Sequence, residues 1–358
     1  MIYNYWFSRD EILTSMQKIR LINVFGNAKN IYKADIKNVA YHGKIEKSKA
    51  KTFEESRKNY NAEKQFENFR KLNMNFKTIN DKEYPLRLKE IYDPPYAIFY
   101  YGDLSMLKLP CVSIVGARKC TEYGRIIADK LSTKLARANI VVVSGLAEGI
   151  DSFSHAGALR EKGKTCAVLG CGVDICYPHF NKELYKVIKQ RGLLLSEFPP
   201  SSKPLGWHFP MRNRIISALS DRVIVVEAKK KSGSLITADM ALEQGKDIYA
   251  VPGRIFDPLS EGCNKLISQG AGVLDDIDDF VNNLDIKAYF GEEKETCKEL
   301  ALEKEEMLVY SCLKFHPMSL EEILDEEILG FEDTLRVLAS LEIKGYIREV
   351  FKNQYVSI

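Results

Sequence analysis

A doubly wound parallel α/β sheet is the fold class predicted for this chain, with a small helical module before it and a small helix-and-hairpin module after it. Three observations carry that prediction. The first is the stretch Cys111–Gly124, CVSIVGARKCTEYG. Its apolar residues Val112, Ile114 and Val115 end at Gly116, a polar turn Ala117–Thr121 follows, and apolar residues then recur at Ile126, Ile127, Leu131, Leu135 and Ile140 with helical spacing. Buried strand, glycine turn and amphipathic helix make the opening unit of a parallel sheet. The second is the recurrence of such runs at Ile140–Ser144, Cys166–Leu169, Leu193–Ser196, Val223–Glu227 and Ile248–Val251, separated by enough chain for crossover helices. The third is a set of Gly-, Ser- and Thr-rich turns after these strands, at the carboxyl edge where such sheets bind ligands.

The 358 residues suffice for two or three domains, and the formal charge of +3 makes no case for or against nucleic acid. The start, MIYNYWFSRDEILTSM, has neither a basic n-region nor a long apolar run, so neither a signal peptide nor a membrane contact is expected. Eight cysteines are scattered, with Cys111 and Cys166 inside apolar strands, which points to free thiols in a reducing cytoplasm. Cys171, Cys176 and His179 match no standard zinc spacing. No metal or cofactor is expected.

Taken in order, residues 1–75 read as a helical, polar N-terminal module. Ile12, Met16, Ile19, Leu21, Ile22 and Phe25 form one helical face that stops at Gly26, and Ile31, Tyr32, Ile36 and Val39 form a second short helix. The lysines between Lys44 and Lys82 read as a solvated face. Residues 76–110 read as an irregular connector with one strand, Ala97–Tyr101, whose aromatics pack against the sheet. The main domain is expected over 76–284, a charged linker over 285–300, and a separate module over 301–358. That last module reads as three helices and two short strands, a winged-helix order. Its third helix opens on Glu332 and Asp333, and acidic residues outnumber basic ones across it. A surface of that sign suits a protein partner better than duplex phosphates.

The turns supply the candidate site. Gly116, Ala117, Arg118 and Lys119 sit where a helix N-terminus offers free N–H groups to a phosphate. The next glycine is Gly124, so the GxGxxG fingerprint of a dinucleotide oxidoreductase is missing. The second loop holds Ser144, Gly145, Gly149 and Asp151, with Asp151 and Ser152 expected to cap the following helix. Gly170, Gly172, Tyr177-Pro178 and Asn181-Lys182 follow the third strand; Gly233, Ser234 and Thr237 follow the fifth. Arg212, Asn213 and Arg214 read as a helix start that presents two guanidiniums to phosphates. Together these turns predict one ligand-binding rim.

The ordered set VGARKCTEYGR, SGLAEGIDSFSHAGAL, GCGVDICYP, LSEFPP, FPMRNRIISALSD, SGSLITADMALEQGKDIYAVPG and EGCNKLISQGA closely resembles the DprA/Smf DNA-processing family over Cys111 to Leu284. The resemblance implies an extended Rossmann-like fold, a homodimer, and a protein of natural transformation without established catalysis. Such a protein binds single-stranded DNA, protects incoming strands and loads the RecA recombinase. It implies phosphate contacts at Gly116, Ala117 and Arg118, the loop Ser144–Asp151, Lys182, and Arg212–Arg214. Expected helix-hairpin-helix glycine turns are poorly matched in residues 1–75, by Arg20-Leu21-Ile22-Asn23 and Tyr41-His42-Gly43. The competing reading is a nucleotide phosphoribohydrolase on a similar fold. Those enzymes place a glutamate after a glycine-rich turn; here Ala238 and Asp239 follow Thr237, leaving Glu227 and Glu243 as the available carboxylates.

Overall fold

The computed structural model describes residues 1–161, 163–284, 304–313, 318–325, 329–344, 346–351 and 354–357. The expected linker, 285–300, lies outside the described residues. The six apolar runs become the centre of a nine-stranded sheet: β3 (Cys111–Val115), β4 (Val141–Ser144), β5 (Thr165–Val168), β6 (Leu193–Ser196), β7 (Arg222–Val225) and β8 (Asp247–Ala250). Strands β3 to β6 are buried at every position, so both faces must be covered, and their sequences are near-continuous apolar runs for that reason. The order is β1-β2-β6-β5-β4-β3-β7-β8-β9. From β6 through β9 (Gly272–Val273) all pairings are parallel; β2 (Ala97–Tyr101) and β1 (Asn75–Thr78) add an antiparallel edge. This is the extended, Rossmann-like, doubly wound sheet. Two short pieces were not read from the sequence, the polar edge strand β1 and the two-residue β9.

Alternation along the strands divides the core. Val112 and Ile114 face Leu131 and Leu135 of α8 (Glu122–Arg137), beside α9 (Ile150–Arg160). Cys111 and Val115 face the opposite layer, with Ile215, Ile216 and Leu219 of α11 (His208–Leu219) and Ala238 and Ala241 of α12 (Gly233–Glu243). α10 (Lys182–Arg191) and α13 (Glu261–Ser268) complete the crossovers, and α14 (Ile277–Asn282) packs its Phe280 and Val281 onto the α8 side.

The chain forms two compact units, Met1–Tyr289 and Phe290–Ile358. In the first, six short helices precede the sheet: α1 (Ile2–Arg9), α2 (Ser15–Phe25), α3 (Ala28–Lys33), α4 (Ile36–Gly43), α5 (Lys47–Lys58) and α6 (Ala62–Lys71). The single helix expected across Ile31 to Val39 is two, because Asp35 starts a new one by accepting from the Lys37 N–H at 2.7 Å. Tyr5 and Phe69 pack with Phe99 of β2, so these helices share a core with the sheet. The connector also gains α7 (Leu86–Lys89) and a 3₁₀ turn, Leu104–Lys108. The second unit runs α15 (Lys304–Cys312), β10 (Met318–Ser319), α16 (Leu320–Asp325), α17 (Phe331–Ile343), β11 (Ile347–Phe351) and β12 (Gln354–Ser357), with antiparallel order β10-β12-β11. Val309, Ile323, Leu338, Leu341 and Ile347 form its core. Among the described residues no helix is long and apolar enough to cross a membrane.

Candidate nucleic-acid interface

The crossovers reverse direction between β3 and β7, and in open sheets of this kind the crevice there receives the ligand. Here a side chain of the protein fills it. Glu227, just past β7 and 4% exposed, accepts from the Thr121 backbone N–H at 2.9 Å and from the Thr121 hydroxyl. The Thr121 hydroxyl oxygen in turn accepts from the Gly124 N–H at 3.1 Å. A β-carbon on Gly124 would stand within 2.8 Å of the Glu227 carboxylate, so the absent side chain makes room for that group. The expectation of free phosphate donors at the start of α8 is therefore corrected. An internal carboxylate already holds donors at this end of the helix, and its charge repels an anion there.

The next two loops lock together beside it. Gly149 has φ +77°, and a β-carbon there would collide with the carbonyls of Ala117 and Arg118. The Ile150 N–H donates to the Ala117 carbonyl at 3.2 Å. Asp151 and Ser152 do not cap α9, whose N-cap is Gly149. They fold the loop back instead: Asp151 accepts from the N–H groups of Gly145 (3.1 Å) and Ala147 (3.4 Å), and the Ser152 hydroxyl donates to the Ala147 carbonyl at 2.6 Å. Asp151 is only 6% exposed, and burial raises its pKa although Arg212 works the other way. Ser144 is spent on the Ile114 carbonyl at 2.6 Å. Asn181, named in the sequence only as a member of the loop after the third strand, donates to the carbonyls of Leu146 (2.9 Å) and Ala147 (3.3 Å) and so ties the loop after β5 to the loop after β4.

Arg212, Asn213 and Arg214 also require correction. α11 begins at His208, so they lie in its second turn and point inward. Arg212 is 5% exposed; its guanidinium donates to the carbonyls of Gly145 (2.7 Å) and Val168. Burial pushes its pKa down to about 10, against the opposing pull of Asp151. Arg214 pairs with Glu197 and, at 3.5 Å, with Asp93. The Asn213 amide donates to the Gly233 carbonyl at 3.3 Å. Ser234 and Thr237 are buried, leaving Gly233 as the exposed member of that turn. These groups position the loops and have little surface to offer a polymer.

What faces solvent is a smaller set. Arg118, Lys119 and Lys182 are exposed and, among the described residues, make no ion pair. The Arg118 guanidinium lies 5.9 Å from the Phe209 ring centroid, and Phe209 packs on Tyr177 at 5.5 Å and against Gly170. Gly172 donates to the Ser202 carbonyl at 2.9 Å, closing the next loop behind them. Phe180 stands 83% exposed two residues before Lys182. Unpaired cations beside open aromatic faces can hold phosphates while bases stack.

The family model described as "DNA recombination-mediator protein A" matches residues 75–285, more than half of the chain. The chain belongs to this DNA recombination-mediator protein A family. It is 48% identical over 217 residues to the DNA processing protein DprA of Bacillus subtilis, an alignment covering 60% of this chain and 73% of that protein. Among solved structures, the X-ray structure of DNA processing protein A from Streptococcus pneumoniae superposes with a TM-score of 0.72 at 38% identity, covering 79% of this chain and 98% of that one. A second, from Helicobacter pylori, matches at TM-score 0.53 and 33% identity over 58% of this chain and 95% of that one; its description concerns the single-stranded DNA binding mode of that protein.

The recombination-mediator match contains all seven motifs and every rim residue described above, from Gly116 to Thr237. The resemblance read from the sequence is thereby shown. The six N-terminal helices up to α6 and the second compact unit lie outside the matched span.

Proposed function

We propose that this recombination-mediator protein binds single-stranded DNA along the carboxyl edge of its sheet, with no chemistry at that site. The observation that carries the reading is the set Arg118, Lys119 and Lys182: exposed, without acid partners among the described residues, and flanked by Phe209, Tyr177 and Phe180. Phosphates would take the cations and bases the rings, which is how sequence-tolerant single-strand sites are built. The DNA-binding title of the Helicobacter pylori relative supports the same reading. In the wider role we assign, the protein processes DNA in natural transformation, protecting incoming strands and loading the RecA recombinase, as a homodimer. Exposed Ile236 and Leu242 on α12 are apolar surface suited to a contact between copies.

The phosphoribohydrolase alternative needs a free carboxylate beside a nucleotide pocket. Glu227 is committed to Thr121, and Glu243 lies exposed at the end of α12. Affinity measured against oligonucleotide length at two salt concentrations tests the reading. With three phosphate contacts, log affinity should fall against log salt with a slope near −2, at about −0.7 per contact. A mononucleotide that binds as tightly as a long single strand would return the site to the enzyme reading.

A further inference from the structure

The loop 252–260, which leaves the carboxyl end of β8, holds an apolar side chain out in solvent. Phe256 is 97% exposed and its neighbour Ile255 80%. The loop's backbone is fastened on both sides of them. Gly253 exchanges hydrogen bonds with the Asn264 side chain (3.2 and 3.0 Å), the Asp257 N–H donates to the Arg254 carbonyl at 3.1 Å, and the Ala228 N–H donates to the Leu259 carbonyl at 2.7 Å. That last bond sets the loop against the end of β7, where Lys229, Lys230 and Lys231 follow in succession, all exposed. Arg254 is exposed as well, and among the described residues none of these four cations makes an ion pair. The nearby Asp257 is half-buried and accepts from the Leu259 N–H at 3.0 Å, so four cations stand against this one acid of the loop.

We propose that Phe256 is a base-stacking platform, and that Lys229–Lys231 with Arg254 hold the phosphates of a further segment of the strand gripped at Arg118. The inference rests on the single-strand reading above and extends it. Position supports it: β5, β4, β3, β7 and β8 are successive neighbours in the sheet, so the rim from Lys182 to Phe256 follows one edge. Four strand spacings of about 4.8 Å make that edge roughly 19 Å long. At about 3.4 Å per stacked nucleotide, it accommodates five or six nucleotides. Charge decides between a polyanion and a second copy of this chain. A two-fold contact sets a patch against itself, and four cations facing four cations repel.

The test uses the full chain and labelled oligothymidylates of two to ten nucleotides. Affinity should rise up to about six nucleotides. Phe256→Ala should remove the gain above three or four, a loss of about fivefold or more on long strands, and leave the shortest oligomers unaffected. Phe256→Trp should restore the gain. A 5-iodouridine near one end of a hexamer should photo-crosslink to Phe256. Equal affinity of wild type and Phe256→Ala for every length overturns the proposal while leaving the Arg118 site standing; failure of any length to bind removes the underlying reading. A change in sedimentation of Phe256→Ala without DNA would make the patch a contact between copies and overturn it too.

Discussion

Arg212 donates to two backbone carbonyls under the loops after β4 and β5, whereas Arg118 stands in solvent over the Phe209 ring. Opposite mutational signatures follow from that difference. Arg212→Ala takes a donor from two buried carbonyls and a neighbouring positive charge from Asp151, so it should lower unfolding free energy by about 2–4 kcal/mol. Among the described residues, Arg118→Ala breaks no side-chain hydrogen bond or ion pair and loses only the cation–ring contact with Phe209. It should keep the melting temperature while weakening single-strand affinity by about 1–3 kcal/mol, as expected for a charge-assisted hydrogen bond to phosphate. Thermal melting and fluorescence anisotropy on the two variants check both. An Arg118→Ala protein that melts normally and binds normally takes the Gly116–Arg118 turn out of the site.

Helix α9 carries His155, fully buried, with Nδ1 2.7 Å from the Thr165 hydroxyl and, among the described residues, no partner for Nε2. Burial first, and the Arg212 charge second, push its pKa down to about 3. The folded value lies below the unfolded value of about 6.5. The stability that the neutral ring contributes is therefore complete above that pH and is lost as pH falls toward 3. The slope should approach 1.4 kcal/mol per pH unit, or about one proton. His155→Asn should show a shallower decline between pH 6 and 4 in urea unfolding; identical slopes would mean that the ring is not held neutral. Elements of this kind were legible in the sequence to unequal degrees. The parallel strands announced themselves because burial on both faces leaves only runs such as Val141, Val142 and Val143. β1, with sequence NFKT, sits at an edge with half its surface wet, and its composition is that of a loop. The start of α11 was hidden by Pro210, which reads as a break but costs nothing in a helix's first turn, where no N–H bond is needed. Placing that start four residues late turned Arg212 and Arg214 from internal struts into surface groups. Glu227 could be read only as a spare carboxylate; its bond to Thr121 could not, because the two are 106 residues apart and only the β3–β7 pairing brings them together.

Across the whole molecule the charge is uneven. Residues 1–75 hold fifteen Lys and Arg against eight Asp and Glu, while residues 301–358 hold six against twelve. A strand approaching the rim gains nothing from the second group, so removing residues 301–358 should leave single-strand affinity within about twofold of the full chain, and should raise the on-rate at low salt. A truncated protein that melts normally yet loses most of its affinity would assign DNA contacts to that unit. A last consequence comes from the carboxylate in the β3–β7 crevice. On other proteins of this architecture, that crevice is where a soluble cofactor docks. Dissolved nucleotides and their triphosphates outnumber strand ends by many orders of magnitude in any living cell. A polymer-gripping protein that kept the crevice open would spend its time occupied by this crowd of monomers. Glu227 puts a carboxylate in that crevice, so on the single-strand reading a strand is held by several weak outer contacts at once, which no monomer can imitate. On the single-strand reading, millimolar ATP should leave an oligonucleotide bound in a competition assay; displacement by ATP would mean that the crevice still takes monomers.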